Sequence, residues 1–337
     1  MSTTTRTTGA TSATPQSGNG RLQNIGLLVL ATGIWGAMFP ISKHLLANMD
    51  PISMTLMRYG IAAPIFLALL YFREGRASLS LEGRGWRLLG LGTLGFVGFN
   101  LLMFYGVGLS KPEHGAVVMA LQPLIASLIA WARTGDRPAA KTYVSLAVAV
   151  LGVALLVTDG DLAGLAAHAS LLPILMMIAG GTSWVLYSGG AARFTGWSPL
   201  RYTALSASAG VVALVMLWLI VGAAGGLRLP SVAVLPELLP SMIYVTALAA
   251  FLAVLCWNAG VRGLGVQNGV LFVNVVPLTA LLVGVLQGKH FGAWELVGAA
   301  MVLGSLFITQ YRGRTQPATA REVGPAKSLR PAVVKTW

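Results

Sequence analysis

Residues Gly106–Trp131, GVGLSKPEHGAVVMALQPLIASLIAW, align without a gap on Gly260–Val285, GVRGLGVQNGVLFVNVVPLTALLVGV, at a constant offset of 154. This register pairs Gly115 with Gly269 and Pro123 with Pro277. A second match, GIWGAMF around Trp35 with TSWVLYS around Trp184, comes at an offset of 149. Self-similarity at such long spacing marks a chain built from two halves, a plan common among membrane carriers.

Working outward from the repeat, 55% of the 337 residues are hydrophobic and only 10% are charged, against about 25% charged in a soluble domain. With a mean hydropathy of +0.75, too few charges remain to cover a water-facing surface. A bilayer helix needs ~20 mostly apolar residues, because it must pair every backbone amide internally. Ten runs meet that need: 24–46, 52–72, 87–109, 114–132, 142–158, 171–191, 199–222, 238–260, 268–287 and 294–311. Short links such as REGRASLSLEGRG and GGLRLPSVAVLPE make successive helices antiparallel neighbours. Five helices per half, an odd number, force the halves into opposite orientations. The expected fold is therefore an all-α integral membrane protein, with ten transmembrane helices as two inverted-topology five-helix repeats, 24–158 and 171–311. Residues 1–23, rich in Ser, Thr and Gly, are expected to form a disordered cytoplasmic tail, and 312–337 a basic cytoplasmic tail.

The net charge of +13 resembles a nucleic-acid footprint only until the charges are located. With the N-terminus inside, every Lys and Arg falls on the inner side except Lys43, Lys111, Arg228 and Lys289, and Arg58, which lies within a span. Positive-inside sorting thus accounts for the basic balance, predicts both termini in the cytoplasm at the plasma (inner) membrane, and leaves no nucleic-acid partner to expect. An odd helix count would scramble this asymmetry. The oligomeric state stays open, a monomer being compatible with all of this. Cys256 stands alone, so no intramolecular disulfide or CxxC motif exists. His44, His114, His168 and His290 show no ligand spacing, and neither metal nor cofactor is expected. All ten acidic residues fall in tails, loops or helix ends. Without paired intramembrane carboxylates or a nucleophile with a base, a membrane-embedded enzyme is the weaker reading. Without a midplane carboxylate, passage down a gradient is expected, or coupling through a peripheral group such as His114 or Glu113.

Several segments carry a family resemblance: GIWG in the first run (Gly33, Trp35, Gly36), Arg58 within MRYGIAAP, and the paired ALQPLIASLIAW and FVNVVPLTALLVG segments. The closing runs LGVALLV and LGSLFI add to it. In this order and duplication the chain resembles the EamA-type drug/metabolite transporter (DMT) superfamily over residues 24–311, and within it amino-acid exporters of the YddG kind. The resemblance implies a carrier that moves small metabolites, amino acids foremost, out of the cytoplasm by alternating access. An exporter of drugs or other metabolites, or an importer, would use the same fold. One departure is QGKHF, where Lys289 stands in place of the acidic residue that ordinarily follows glycine.

Small-molecule sites combine apolar walls with a few placed polar groups. Candidates near the midplane are Asn100, Tyr105, Gln122, Tyr187, Ser188, Trp257, Asn258 and Asn274, each of which could instead hydrogen-bond between helices. Trp35 and Trp184 occupy matched positions and could stack on a solute or simply fill space. Pro123 and Pro277 sit mid-helix and free the carbonyls of Met119 and Val273, giving two kinks that serve as hinges or as packing devices. Met119 joins the substrate-binding candidates on that ground. Arg58, about 10 Å into its helix, could hold a substrate carboxylate, snorkel, or pair with Asp50 or Glu113. Lys43 and His114 are further charge contacts to consider. No catalytic residue is expected.

Overall fold

A computed structural model describes residues 18–135, 137–138, 140–161, 171–264 and 270–310. Most of the expected N-terminal tail, all of the C-terminal tail, His168 and Gly269 lie outside the described residues. Regular structure is helical throughout the described residues. The elements are α1 (Gly18–Asn48), α2 (Pro51–Glu74) and α3 (Gly85–Gly108). α4 is in two pieces, Pro112–Ala120 and Gln122–Thr134. Next come α5 (Ala140–Thr158), α6 (Leu171–Gly190) and α7 (Pro199–Ala223). α8 runs through Leu235–Ile243, Tyr244–Leu252 and Ala253–Leu264. α9 is a 3-10 stretch Val270–Asn274 followed by Val275–Leu286, and α10 is Ala293–Gln310.

Six of these, α1, α2, α3, α6, α7 and α8, are long and apolar enough to cross a bilayer. The two pieces of α4 qualify together across a 46° bend, and α5, α9 and α10 are shorter apolar helices. Ten helices, six of span length, one bent pair and three shorter apolar ones, account for the described chain.

Local sequence explains the starts and breaks. Asp50 caps α2 ahead of Pro51, its Oδ1 accepting from the Ser53 amide at 2.9 Å. Ser198 caps α7 ahead of Pro199, its Oγ accepting from the Arg201 amide at 2.9 Å. In both helices proline stands where an amide would be orphaned and a polar cap covers the next one, before the chain enters hydrocarbon. α4 breaks at Leu121, two residues before Pro123, and α9 changes from 3-10 to α geometry at Val275, two residues before Pro277. The matched prolines thus produce matched breaks. α3 and α8 correspond in the same way, each carrying a π-helical stretch, Thr93–Gly98 and Tyr244–Leu252.

Because lipid is as apolar as leucine, helices here associate through close packing rather than through water exclusion. Gly36 shows it: a Cβ on this residue would sit 2.4 Å from the Val276 carbonyl oxygen, so α1 lies directly on α9. Gly152 and Gly298 play the same part between α5 and α10, each facing the other's carbonyl. The packing follows an exchange rule between the halves. α1 packs on α8 and α9, and its counterpart α6 packs on α3 and α4. α2 packs on α7 and α5 on α10, each joining a helix to its own counterpart.

Polar contacts sort the loops onto two faces. On one, the Arg228 amide donates to Asp50 at 3.0 Å, and Lys111 pairs with Glu295. On the other, Ser198 donates to Glu74 at 2.5 Å and Arg201 pairs with Glu82 at 2.7 Å.

Candidate functional site

The main apolar cluster runs along α1, α3, α4, α8 and α9 and meets partly buried Trp35, Trp184 and Trp257. Trp35 Nε1 donates to the Ala249 carbonyl at 3.0 Å, and its ring centre lies 5.4 Å from that of Trp257. Trp184 lies 5.1 Å from Phe99 and 5.2 Å from Tyr187. Each of the two matched tryptophans therefore meets an aromatic ring of the opposite half, Trp257 on α8 and Phe99 on α3. Gly36 in GIWG lets α1 approach α9, while Trp35 beside it turns to α8.

The proline breaks gather further candidates. Gln122 Nε2 lies 3.2 Å from Met119 Sδ across the bend of α4, and both residues are nearly buried. Asn274, at the corresponding break in α9, has its buried Oδ1 without a hydrogen-bond partner among the described residues. An amide oxygen left bare in an apolar interior forgoes about 1–3 kcal/mol, so it is a ready acceptor for an incoming donor.

Arg58 is 2% exposed and pairs with neither Asp50, which caps α2, nor Glu113, which faces Lys289. Its Nη1 donates to Asn100 Oδ1 at 3.0 Å and its Nε to the Val245 carbonyl at 3.1 Å. Asn100 is fully buried and spends its Nδ2 on Phe96 O. Neither residue snorkels to water. Lys43 caps the end of α3, its Nζ donating to the carbonyls of Val107, Gly108 and Ser110 at 3.0, 2.7 and 2.7 Å. Tyr187 is buried in a second cluster and shares a 3.0 Å hydroxyl contact with Ser206.

Other candidates do not converge. Tyr105 packs apart, in a third cluster with Leu56, Leu217 and Trp218. Ser188 is exposed, Asn258 is half-buried, and His114 is buried at the opposite end of its helix from the Trp131 end. Tyr244, whose hydroxyl donates to Ile34 O at 2.9 Å, carries no mark in the sequence, nor do the buried hydroxyls of Ser42 and Thr246, which lack partners among the described residues. Ser and Thr usually bond back along their own helix, as Thr32 does to Leu28 O at 2.7 Å, so type alone does not flag the exceptions.

The EamA-like transporter family matches the chain twice, over residues 23–158 and 171–311. Among curated proteins, the "Uncharacterized transporter YrdR" of Bacillus subtilis (strain 168) is 32% identical, with 86% of this chain and 91% of that protein aligned. The "Uncharacterized transporter YyaM" of the same Bacillus subtilis strain is 27% identical over 88% of this chain and 98% of its own length. A "Probable amino-acid metabolite efflux pump" of Escherichia coli (strain K12) is 28% identical, over 47% of this chain and 50% of that protein. A crystal structure superposes with a TM-score of 0.58 at 18% identity, covering 87% of this chain and 96% of the other, a likeness of fold alone. Two copies of one family pattern, on ten apolar helices packed by exchange between halves, make the chain an integral membrane protein that belongs to the EamA-like transporter family of the drug/metabolite transporter superfamily.

Proposed function

We propose that the protein exports small polar or amphipathic metabolites, amino acids foremost, by alternating access through one chamber between two five-helix repeats of inverted orientation. The observation that carries this reading is the exchange packing, in which α1 meets α8 and α9 while α6 meets α3 and α4. Helices so arranged leave the seam between halves as the natural place for a substrate, and rocking about that seam exposes it to each side in turn. Trp35, Trp257, Trp184 and Phe99 line the seam with aromatic surface. Gln122, Met119 and Asn274 supply polar or polarisable groups at the two helix breaks, and Pro123 and Pro277 are the hinges. The amino-acid assignment draws on the printed name of the Escherichia coli relative, similar over half its length. The distribution of Lys and Arg supports a cytoplasmic location for both termini.

Counterflow in proteoliposomes, run with a panel of amino acids and cationic drugs, tests it. Preloaded amino acid is expected to drive uptake of the labelled one, with Trp35→Ala and Trp184→Ala each cutting the rate at least tenfold. Counterflow by drugs alone would transfer the assignment to the drug-export reading, and no counterflow by any solute would end the carrier reading.

A further inference from the structure

On the face that carries Asp50 and Arg228, two ion pairs join the halves in opposite senses. Lys111, just before α4, pairs with Glu295 on α10, while Lys289, between α9 and α10, faces Glu113 on α4 at 3.4 Å. The carboxylates are the buried members, with Glu295 and Glu113 side chains 6% and 8% exposed. With His290 these residues line a cavity of about 320 Å³. Glu295 also accepts from the Gly292 amide at 2.9 Å, fixing it beneath Lys111. In the first turn of α4, His114 is 5% exposed, and neither ring nitrogen has a hydrogen-bond partner among the described residues. Nothing in the proposed transport cycle so far uses this cluster.

We propose that the cluster is the outer gate and that His114 is a proton-binding site that opens it, an inference that rests on the alternating-access reading. For the halves to part on this face, both cross-half ion pairs must separate. While closed, the carboxylates are shielded from water, so the lysines are their charged partners and the gate holds. A neutral imidazole needs one donor and one acceptor, and a protonated one needs two acceptors. His114 finds neither among the described residues of the closed gate. The charges that act on it are Lys111, at the N-cap of its helix, and Glu295 on α10; Glu113 precedes it on α4, and Lys289 and His290, between α9 and α10, line the cavity with these three. Lys43 on α1 and Asp159, against Gly292, lie beyond them. Both carboxylates nearest His114 are already committed to lysines, and exposed His290 has no burial to lose on opening. Opening wets His114 and lets a proton from the outer solution settle on a ring nitrogen with water as acceptor. A proton that binds the open form better than the closed one shifts the gate toward open.

The test uses the full chain with Cys256→Ser and Ala116→Cys in proteoliposomes. Ala116, fully buried two residues beyond His114, reports opening by its labelling rate with a membrane-impermeant maleimide, corrected for the reagent's own pH dependence on a denatured control. A water-exposed imidazole titrates near ~6.5, and opening linked to one proton gains up to about tenfold per pH unit below it. Stepping the outer pH from 7.5 to 5.5 is therefore expected to raise labelling several-fold, and stepping only the inner pH is not. His114→Gln or His114→Phe should flatten the response, while Glu113→Gln should label fast at both values. A flat response in the His114-containing protein overturns the proposal whatever the variants do, and so does an undiminished response in a folded His114→Gln protein. Counterflow at pH 7.5, measured on the same vesicles, separates this from the transport reading: its absence ends that reading, while the labelling still decides the gate.

Discussion

Arg58 and Asn100 are partners inside the apolar interior, Nη1 donating to Oδ1 at 3.0 Å with both residues out of water. Through Asn100 the guanidinium is tied to Phe96 O, in the π stretch of α3, and through its own Nε to Val245 O, in the π stretch of α8. The rings of Tyr59 and Phe104 cover it at 5.3 and 5.1 Å. A charge within a membrane is expensive and persists only where its donors are satisfied. A π turn re-aims carbonyls away from the regular ladder; Arg58 takes one of them, Val245 O, and Asn100 takes the other, Phe96 O. The Arg58–Asn100 pair thus fastens the corresponding irregular stretches of both repeats.

Removing either partner should therefore loosen both stretches at once. Arg58→Gln and Asn100→Ala are each expected to cost about 1–3 kcal/mol, the penalty for leaving a buried polar group unpaired. Thermal unfolding in detergent, followed by fluorescence-detected gel filtration, reads this as a fall of several degrees. Asn100→Asp, which gives Arg58 a counter-ion, should lose less stability than Asn100→Ala. An Asn100→Asp protein as unstable as Asn100→Ala would contradict the partnership.

Gly36 supports a second expectation, at the crossing of α1 on α9. Gly36→Val must push its side chain into the Val276 carbonyl and the Thr279 side chain, which already lie 2.4 and 2.7 Å from a mere Cβ. Overpacking of this kind costs about 1–3 kcal/mol and shifts backbone. Poor assembly in the membrane is expected, whereas Gly26→Ala, where a Cβ meets nothing within 4 Å, should be silent. Yield and monodispersity of the two variants side by side check the contrast.

The helices, their duplication and their proline breaks were legible because length, hydropathy and the position of Pro123 and Pro277 are local properties. Contacts were less so. Arg58 offered three readings in the sequence, and the deciding partners stand 42 and 187 residues away. Tyr105 shares a helix with Asn100 but enters another cluster, since a helix apolar on every side does not announce which face is inward. The π stretches have no compositional mark, and Lys43 became a helix cap because the end of α3 happens to reach it.

Sidedness gives a third expectation. In a Cys256→Ser background, cysteines at positions 76 and 287 should be labelled from opposite sides of the membrane, because the loops that hold them lie on opposite faces. A cysteine at position 327 should share the compartment of position 76 if the positive-inside distribution sets the orientation. Impermeant maleimide on intact cells, with and without permeabilisation, decides both. Positions 76 and 287 on one side would contradict the ten-helix count.

The loop between α2 and α3 supplies a pH dependence. Trp197 Nε1 donates to Glu82 at 2.9 Å and Arg201 pairs with it at 2.7 Å, and together these hold the Glu82 carboxyl below its usual range, despite a small opposing effect of burial. The Arg201 guanidinium also lies 4.2 Å over the Trp197 ring, so the three residues clamp that loop to the start of α7. A depressed folded-state value means the folded protein keeps its carboxylate where the unfolded chain has begun to take up a proton. The contribution to stability is present above the unfolded value of ~4.3 and is lost as pH falls through the lower, folded value. Melting curves of the parent protein and Glu82→Gln should therefore differ at pH 6 and converge as pH approaches 3. Glu82 is exposed, so the difference should also shrink at high salt. Curves that stay apart at low pH would mean that Glu82 acts through packing rather than through its charge.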